Sequence, residues 1–295
     1  MKIPNHRDVL QGYAKGDNAM AIIVNTNMSA LKTQKNLNSA TNLLNSSLER
    51  MSTGLKINRA ADDAAGMYVA SNLETQIRGS KVAQANVETG INVLQTIEGS
   101  LDVINDNLLR IRDLCVQAAN GVYDENSLQA MQDEVDARLE EITRIQDSTE
   151  FNGKALFTAT DSGLGNTGLV LQVGANSDAN NQITAEKTIF QKITNPTVDV
   201  KAAATDAIAN VDTSLESIVN KKAAIGATQN RLVSAQSSLM TTIENASAAK
   251  STIMDADISQ EAADFTKAQI LQQTSATLLT QANQLPALAL QLIAG

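Results

Sequence analysis

From Ile208 to Ile253 the chain advances in alternating steps of three and four residues: Ile208, Val211, Leu215, Ile218, Lys222, Ile225, Gln229, Leu232, Gln236, Leu239, Ile243, Ala246, Lys250 and Ile253. Ten of these fourteen are apolar. A seam of this kind specifies a long helix with one narrow apolar stripe, which needs a partner helix. A matching seam runs through Ile97, Leu101, Ile104, Leu108, Ile111, Cys115 and Ala118, inside a helix expected from about Met67 to Ala119. Leu128, Met131, Val135, Leu139 and Ile142 predict a third, shorter helix between Asn126 and Gln146. At about 1.5 Å per residue, a helix from Lys201 to Met254 is roughly 80 Å long. A compact chain of this size would have a radius of gyration of only about 19 Å. The expected fold is therefore mainly α, an elongated antiparallel bundle of long helices with a small β-hairpin region.

Composition agrees with narrow helix-on-helix packing. Aromatic residues make up 2% of the chain, with no Trp, three Tyr and four Phe, too few to fill the wide spaces between layers of sheet. The net charge of −9 and the lack of aromatic platforms argue against nucleic acid, whose phosphates need Lys and Arg and whose bases stack on rings. A single histidine, His6, cannot supply H-E-x-x-H, and it stands in a polar, glycine-containing leader that gives a catalytic triad little support. Cys115 has no internal disulfide partner, and its seam position predicts a buried, inert thiol. Asp62, Asp63, Asp255 and Asp257 stand near expected helix starts, where carboxylates cap free N–H groups, and they are read as caps rather than metal ligands. No enzyme, metal or cofactor is expected. The leader lacks a signal-length apolar run, and no stretch reaches the ~20 apolar residues of a membrane span, so neither Sec export nor a membrane partner is expected.

Between 151 and 200 the pattern changes. Phe151-Asn152-Gly153 signals a turn, and Leu169, Leu171 and Val173 alternate as a strand, which predicts one or two hairpins capping one end of the bundle. Residues 24 to 53 place Val24, Met28, Leu31, Leu37, Ala40, Leu44, Leu48 and Met51 at helical spacing before Gly54, a stop signal. After the phase slip at Asp255-Ala256-Asp257 a second thin stripe follows through Ile258, Ala262, Phe265, Ile270, Leu271, Leu278, Leu279 and Ala282. Neither terminal helix carries enough apolar area to offset its ordering entropy alone, so each is expected to order on meeting another surface.

The run Leu55-Lys56-Ile57-Asn58-Arg59-Ala60-Ala61-Asp62-Asp63-Ala64-Ala65-Gly66, the opening Ile23-Val24-Asn25-Thr26-Asn27 and the close Gln281-Ala282-Asn283-Gln284-Leu285-Pro286 together resemble bacterial flagellin. Leu109-Arg110-Ile111-Arg112-Asp113-Leu114 and Thr149-Glu150-Phe151-Asn152-Gly153 extend the resemblance over almost the whole chain from Met20 to Gly295. It implies a short form without the family's variable outer domains, since only about fifty residues join the two helical halves. By resemblance, residues 20–62 and 255–295 form an inner terminal domain whose helices pair as a coiled coil in the filament. Residues 63–150 and 201–254 form the rod, and 151–200 the hairpin region. Met20-Ala21 matches the family's usual start, which leaves residues 1–19 as an extension without counterpart, most simply a misassigned start codon.

The resemblance implies a structural subunit that polymerises into the extracellular flagellar filament. Hook-filament junction protein is the alternative, and a flagellin-like secreted enzyme a distant one. It implies terminal packing through Val24, Met28, Leu31, Leu44, Leu48, Phe265, Leu271, Leu278, Leu279 and Leu285. The implied partners are further copies of the chain, an export chaperone on the helix from Asp257 to Leu292, and the filament cap and hook-associated junction proteins. A flagellin-sensing Toll-like receptor would read Arg110, Leu114 and Glu134, expected on the helix surface with Arg110 and Glu134 paired.

Overall fold

The computed structural model describes residues 26–159 and 163–294, with side chains described through Gln284. In chain order the helices are α1 (Met28–Thr53), α2 (Ala64–Ala118), α3 (Glu125–Ser148), α4 (Gly163–Thr167), α5 (Lys187–Phe190), α6 (Ala204–Met254) and α7 (Ile258–Ala294). The strands are β1 (Glu150–Phe151), β2 (Lys154–Ala155), β3 (Leu169–Gln172) and β4 (Gln182–Ala185). They form two separate antiparallel hairpins, β1–β2 and β3–β4. The residues fall into two units, one running up to Met67 and resuming at Thr252, the other from Tyr68 to Ser251.

In the second unit α2 supplies the spine of the core. Ile97, Leu101, Ile104, Leu108, Ile111 and Cys115 are completely buried. Each large aliphatic of this kind contributes about 1.5–3 kcal/mol by leaving water. Val211, Ile218, Ile225 and Leu232 of α6 and Val135 and Ile142 of α3 join the same core. Ion pairs fix the direction of α6 against α2. Arg112 meets Asp212 at 2.7 Å, Lys222 meets Asp102, and Lys250 meets Glu74 at 2.7 Å. From the first pair to the second, one helix number falls by ten as the other rises by ten, the signature of an antiparallel pair in constant register.

The α6 seam differs from the expected one. Ile208, Leu215, Lys222, Gln229 and Gln236 are only half-buried, and the second buried line instead runs through Ser214, Lys221 and Thr228. The helix is rotated about its axis because polar groups on that line meet partners. The Lys221 Nζ donates to the carbonyl oxygens of Thr188 and Gln191, and the Ser214 hydroxyl donates to Asn210 and Thr194 carbonyls.

Residues 151–200 do not cap one end of the bundle; they run along its side. Asn152 (φ 51) and Gly153 (φ 73) turn β1 into β2. Leu171 of β3 then lies against Gly90, where an added Cβ would come within 2.4 Å of the Leu171 Cδ1, and Ala175 lies against Gly79. The segment after α5 returns past Lys221. The Ile193 amide donates to the buried Gln146 side chain at 2.8 Å, and the Val200 amide to Gln132 at 2.9 Å. Side-chain amides, one buried and one half-buried, thus satisfy a backbone that has no ladder of its own. The few aromatics concentrate here, with Phe157 and Phe190 almost fully buried.

Candidate functional site

The terminal unit is built on the pairing of α1 with α7. Asn27 caps α1, its Oδ1 accepting from the Ala30 amide at 3.0 Å while its Nδ2 donates to the Ala282 carbonyl at 2.7 Å. Gln272 donates to the Thr41 hydroxyl at 3.2 Å, and Arg50 meets Glu261 at 3.2 Å. These contacts descend one helix as they climb the other, so the pair is antiparallel. α1 stops at Gly54, whose φ of 72 places it in the left-handed region.

Small side chains form the seam. Ala40 and Ser47 on α1, and Ala268, Ser275 and Ala282 on α7, are buried and spaced seven apart along each helix, with the buried Glu261 a further seven residues before Ala268. Small residues let two backbones approach closely but bury little apolar area. The larger side chains expected in terminal and inter-subunit packing divide between exposed and half-buried positions. Met28 (66% exposed), Leu31, Leu48, Leu271 and Leu278 are exposed, while Leu44, Phe265 and Leu279 are half-buried. Val24 and the side chain of Leu285 lie outside the described residues, as do His6 and residues 1–19.

Within the terminal unit, the run from Leu55 to Gly66 is held by its own polar groups. The Lys56 amide donates to the Met254 carbonyl and the Ala256 amide to the Gly54 carbonyl, so the two crossing strands clasp one another. Ile57 is buried. The Asp62 carboxylate accepts from the Arg59 and Asn58 amides, which hold it below the usual carboxylate range. Asp63 accepts from the Ala65 and Gly66 amides at the start of α2, and Asp257 from the Ser259 and Gln260 amides at the start of α7. These carboxylates act as caps.

On the second unit, Arg110 of α2 makes two hydrogen bonds to Glu134 of α3, at 3.0 and 3.3 Å. Arg138 adds a third at 3.1 Å and reaches Asn107. The Arg110 hydrogen bond is the main cause that lowers the Glu134 pKa. Leu114 does not share this surface. It is 3% exposed, facing the core one turn along from Arg110. The α2 seam already uses Ile111 and Cys115, and Leu114 lies on the same broad face. The Cys115 thiol is buried, and burial pushes its pKa up. Among the described residues, no helix is long and apolar enough to cross a membrane.

The sequence pattern placed Ala40 and Ala282 on the two stripes but missed Ser47, Ala268 and Ser275, because it was read for apolar residues, mostly large ones. The seven-residue recurrence of Glu261, Ala268, Ser275 and Ala282 was the signal that could have found the seam on α7.

Long helices sealed along continuous seams, with a terminal helix pair closed by small side chains, define a protein of the long-helix class. The chain matches the bacterial flagellin N-terminal helical region over residues 24–162 and the bacterial flagellin C-terminal helical region over residues 208–293. It is 37% identical to the flagellin of Bacillus subtilis, covering 92% of this chain and 99% of that one. It is 36% identical to the flagellin of Halalkalibacterium halodurans, covering 92% and 100%. The crystal structure of Bacillus cereus flagellin is 30% identical, covers 52% of this chain and 88% of that one, and has a TM-score of 0.45. The chain belongs to the bacterial flagellin family.

Proposed function

We propose that the outward apolar faces of α1 and α7 dock onto neighbouring copies and thereby order the chain ends within the filament. As a flagellin the chain is a structural subunit, not an enzyme; it polymerises with further copies into the flagellar filament, outside the cell. An open helical polymer grows through heterologous contacts, in which one surface meets a different surface of the next subunit. The observation that carries the docking reading is the division of labour in the terminal pair. Alanine and serine close the seam within one chain, while Met28, Leu31, Leu48, Leu271 and Leu278 stay exposed. Burying each of those against a neighbour yields about 1.5–3 kcal/mol before ordering costs.

The same outward face on α7 suits an export chaperone before assembly, with the helix from Asp257 to Leu292 laid into a groove. The filament cap and the hook-associated junction proteins would meet the same terminal surfaces at the ends of the polymer. For a flagellin-sensing Toll-like receptor, the Arg110–Glu134 pair is the accessible element, whereas Leu114 is buried.

The test is seeded growth. Filament fragments mixed with the wild-type subunit should lengthen under the electron microscope. A Leu271→Asn, Leu278→Asn variant with unchanged helical circular dichroism should not extend them. Elongation by that variant at the wild-type rate overturns the docking reading.

A further inference from the structure

Where the chain turns from β3 towards β4 it forms, with α2 and α6, a solvent-open cavity of about 400 Å³. That lies within the usual range of small-ligand sites. Gln76 and Ser80 line it from α2, Asn180 and Asn181 from the turn, and Ser238 and Thr242 from α6. Val173, Ile183 and Leu239 supply an apolar floor. Among the described residues no Lys, Arg, Asp, Glu or aromatic side chain lines it.

Ser80 is the informative member. It is 2% exposed as a residue, and its hydroxyl makes no hydrogen bond to the described residues. Serine in a helix ordinarily returns its hydroxyl to the carbonyl four residues back, as Ser100 does to Thr96 and Ser234 to Asn230. Ser80 makes no such bond, and its oxygen is not sealed from solvent, since the buried unpartnered side-chain oxygen among the described residues is that of Asn195. Its polar group is therefore available to whatever enters the cavity.

We propose that this cavity binds a neutral monosaccharide. Amides and hydroxyls each offer a donor and an acceptor, which matches neighbouring sugar hydroxyls. The apolar floor receives the C–H face of the ring. A charged ligand would lose hydration and find no countercharge. A nucleobase would find no ring on which to stack.

The test is an amide-shift titration of the full-length, unpolymerised subunit by NMR. Glucose, galactose and N-acetylglucosamine are the probes, with glucose 6-phosphate and N-acetylneuraminic acid as charged controls. At least one neutral sugar should shift the amides of Ser80, Asn181 and Ser238 saturably, with Kd on the order of a millimolar. Ser80→Ala should weaken that binding by about fivefold, the loss of one hydrogen bond. Ser238→Ala, at an exposed position, reads the same loss should the Ser80 variant not fold. The proposal is overturned by no saturable shift with any neutral sugar, by equal binding of the charged controls, or by undiminished binding in a folded variant.

Discussion

Replacing Lys221 with methionine should abolish a pH dependence of folding that the wild-type chain carries. Lys221 is 7% exposed, and its ammonium donates to the carbonyls of Thr188 and, at 2.7 Å, of Gln191. Glu186 and Glu216 line the cleft beside it. Burial pushes its pKa down to about 8 from the ordinary 10.5. The unfolded chain, where this lysine is solvated, binds the proton more tightly than the folded one. Stability from this group is therefore fully present above pH 10.5 and is lost as pH falls through about 8. At 1.36 kcal/mol per unit the difference is about 3 kcal/mol, an upper bound because the two carbonyls favour the charged form. The assay is denaturant unfolding of wild type and Lys221→Met across this alkaline range. Subtracting one curve from the other removes the common titration of solvated lysines. The wild type should gain on the variant by up to about 3 kcal/mol as pH rises through the window. A difference that stays flat with pH refutes the reasoning.

Gly90→Val should cost about 1–3 kcal/mol in thermal unfolding, because its Cβ would meet Leu171 at 2.4 Å and push β3 off α2. Ile104→Ala, at the centre of the buried α2 seam, should cost about 2–5 kcal/mol by the same measurement. The Glu74 carboxylate, hydrogen-bonded by Lys250 and then Arg78, is held down to about 2, so an NMR titration should find it ionised well below the ordinary 4.5. Lys250→Ala should raise that midpoint. Cys115 should react with a thiol reagent only on unfolding, since it is wholly buried and its thiolate is disfavoured.

The long helices were legible because their signal is repeated many times. The α2 seam, read as apolar in every position, is buried in every position. On α6 the pattern gave the helix but rotated its buried face, since Ser214, Lys221 and Thr228 are buried through hydrogen bonds that an apolar template cannot score. The Asn152-Gly153 turn was legible because both residues favour positive φ. The course of 186–200 was not, because Gln132 and Gln146 hold it through bonds between distant parts of the chain. Of the residues proposed for assembly, the exposed ones stood out as apolar spacing, but which of them would pack within the chain depended on how closely α1 and α7 approach. Arg110 and Glu134 were paired correctly from sequence, whereas Leu114 lies in the core.

A fastening of alanine and serine brings two helices near without committing much greasy surface to the join. Such a join is cheap to undo. Under the docking proposed above, a weakly held pair of this kind can open and close while its largest apolar side chains remain for neighbouring copies.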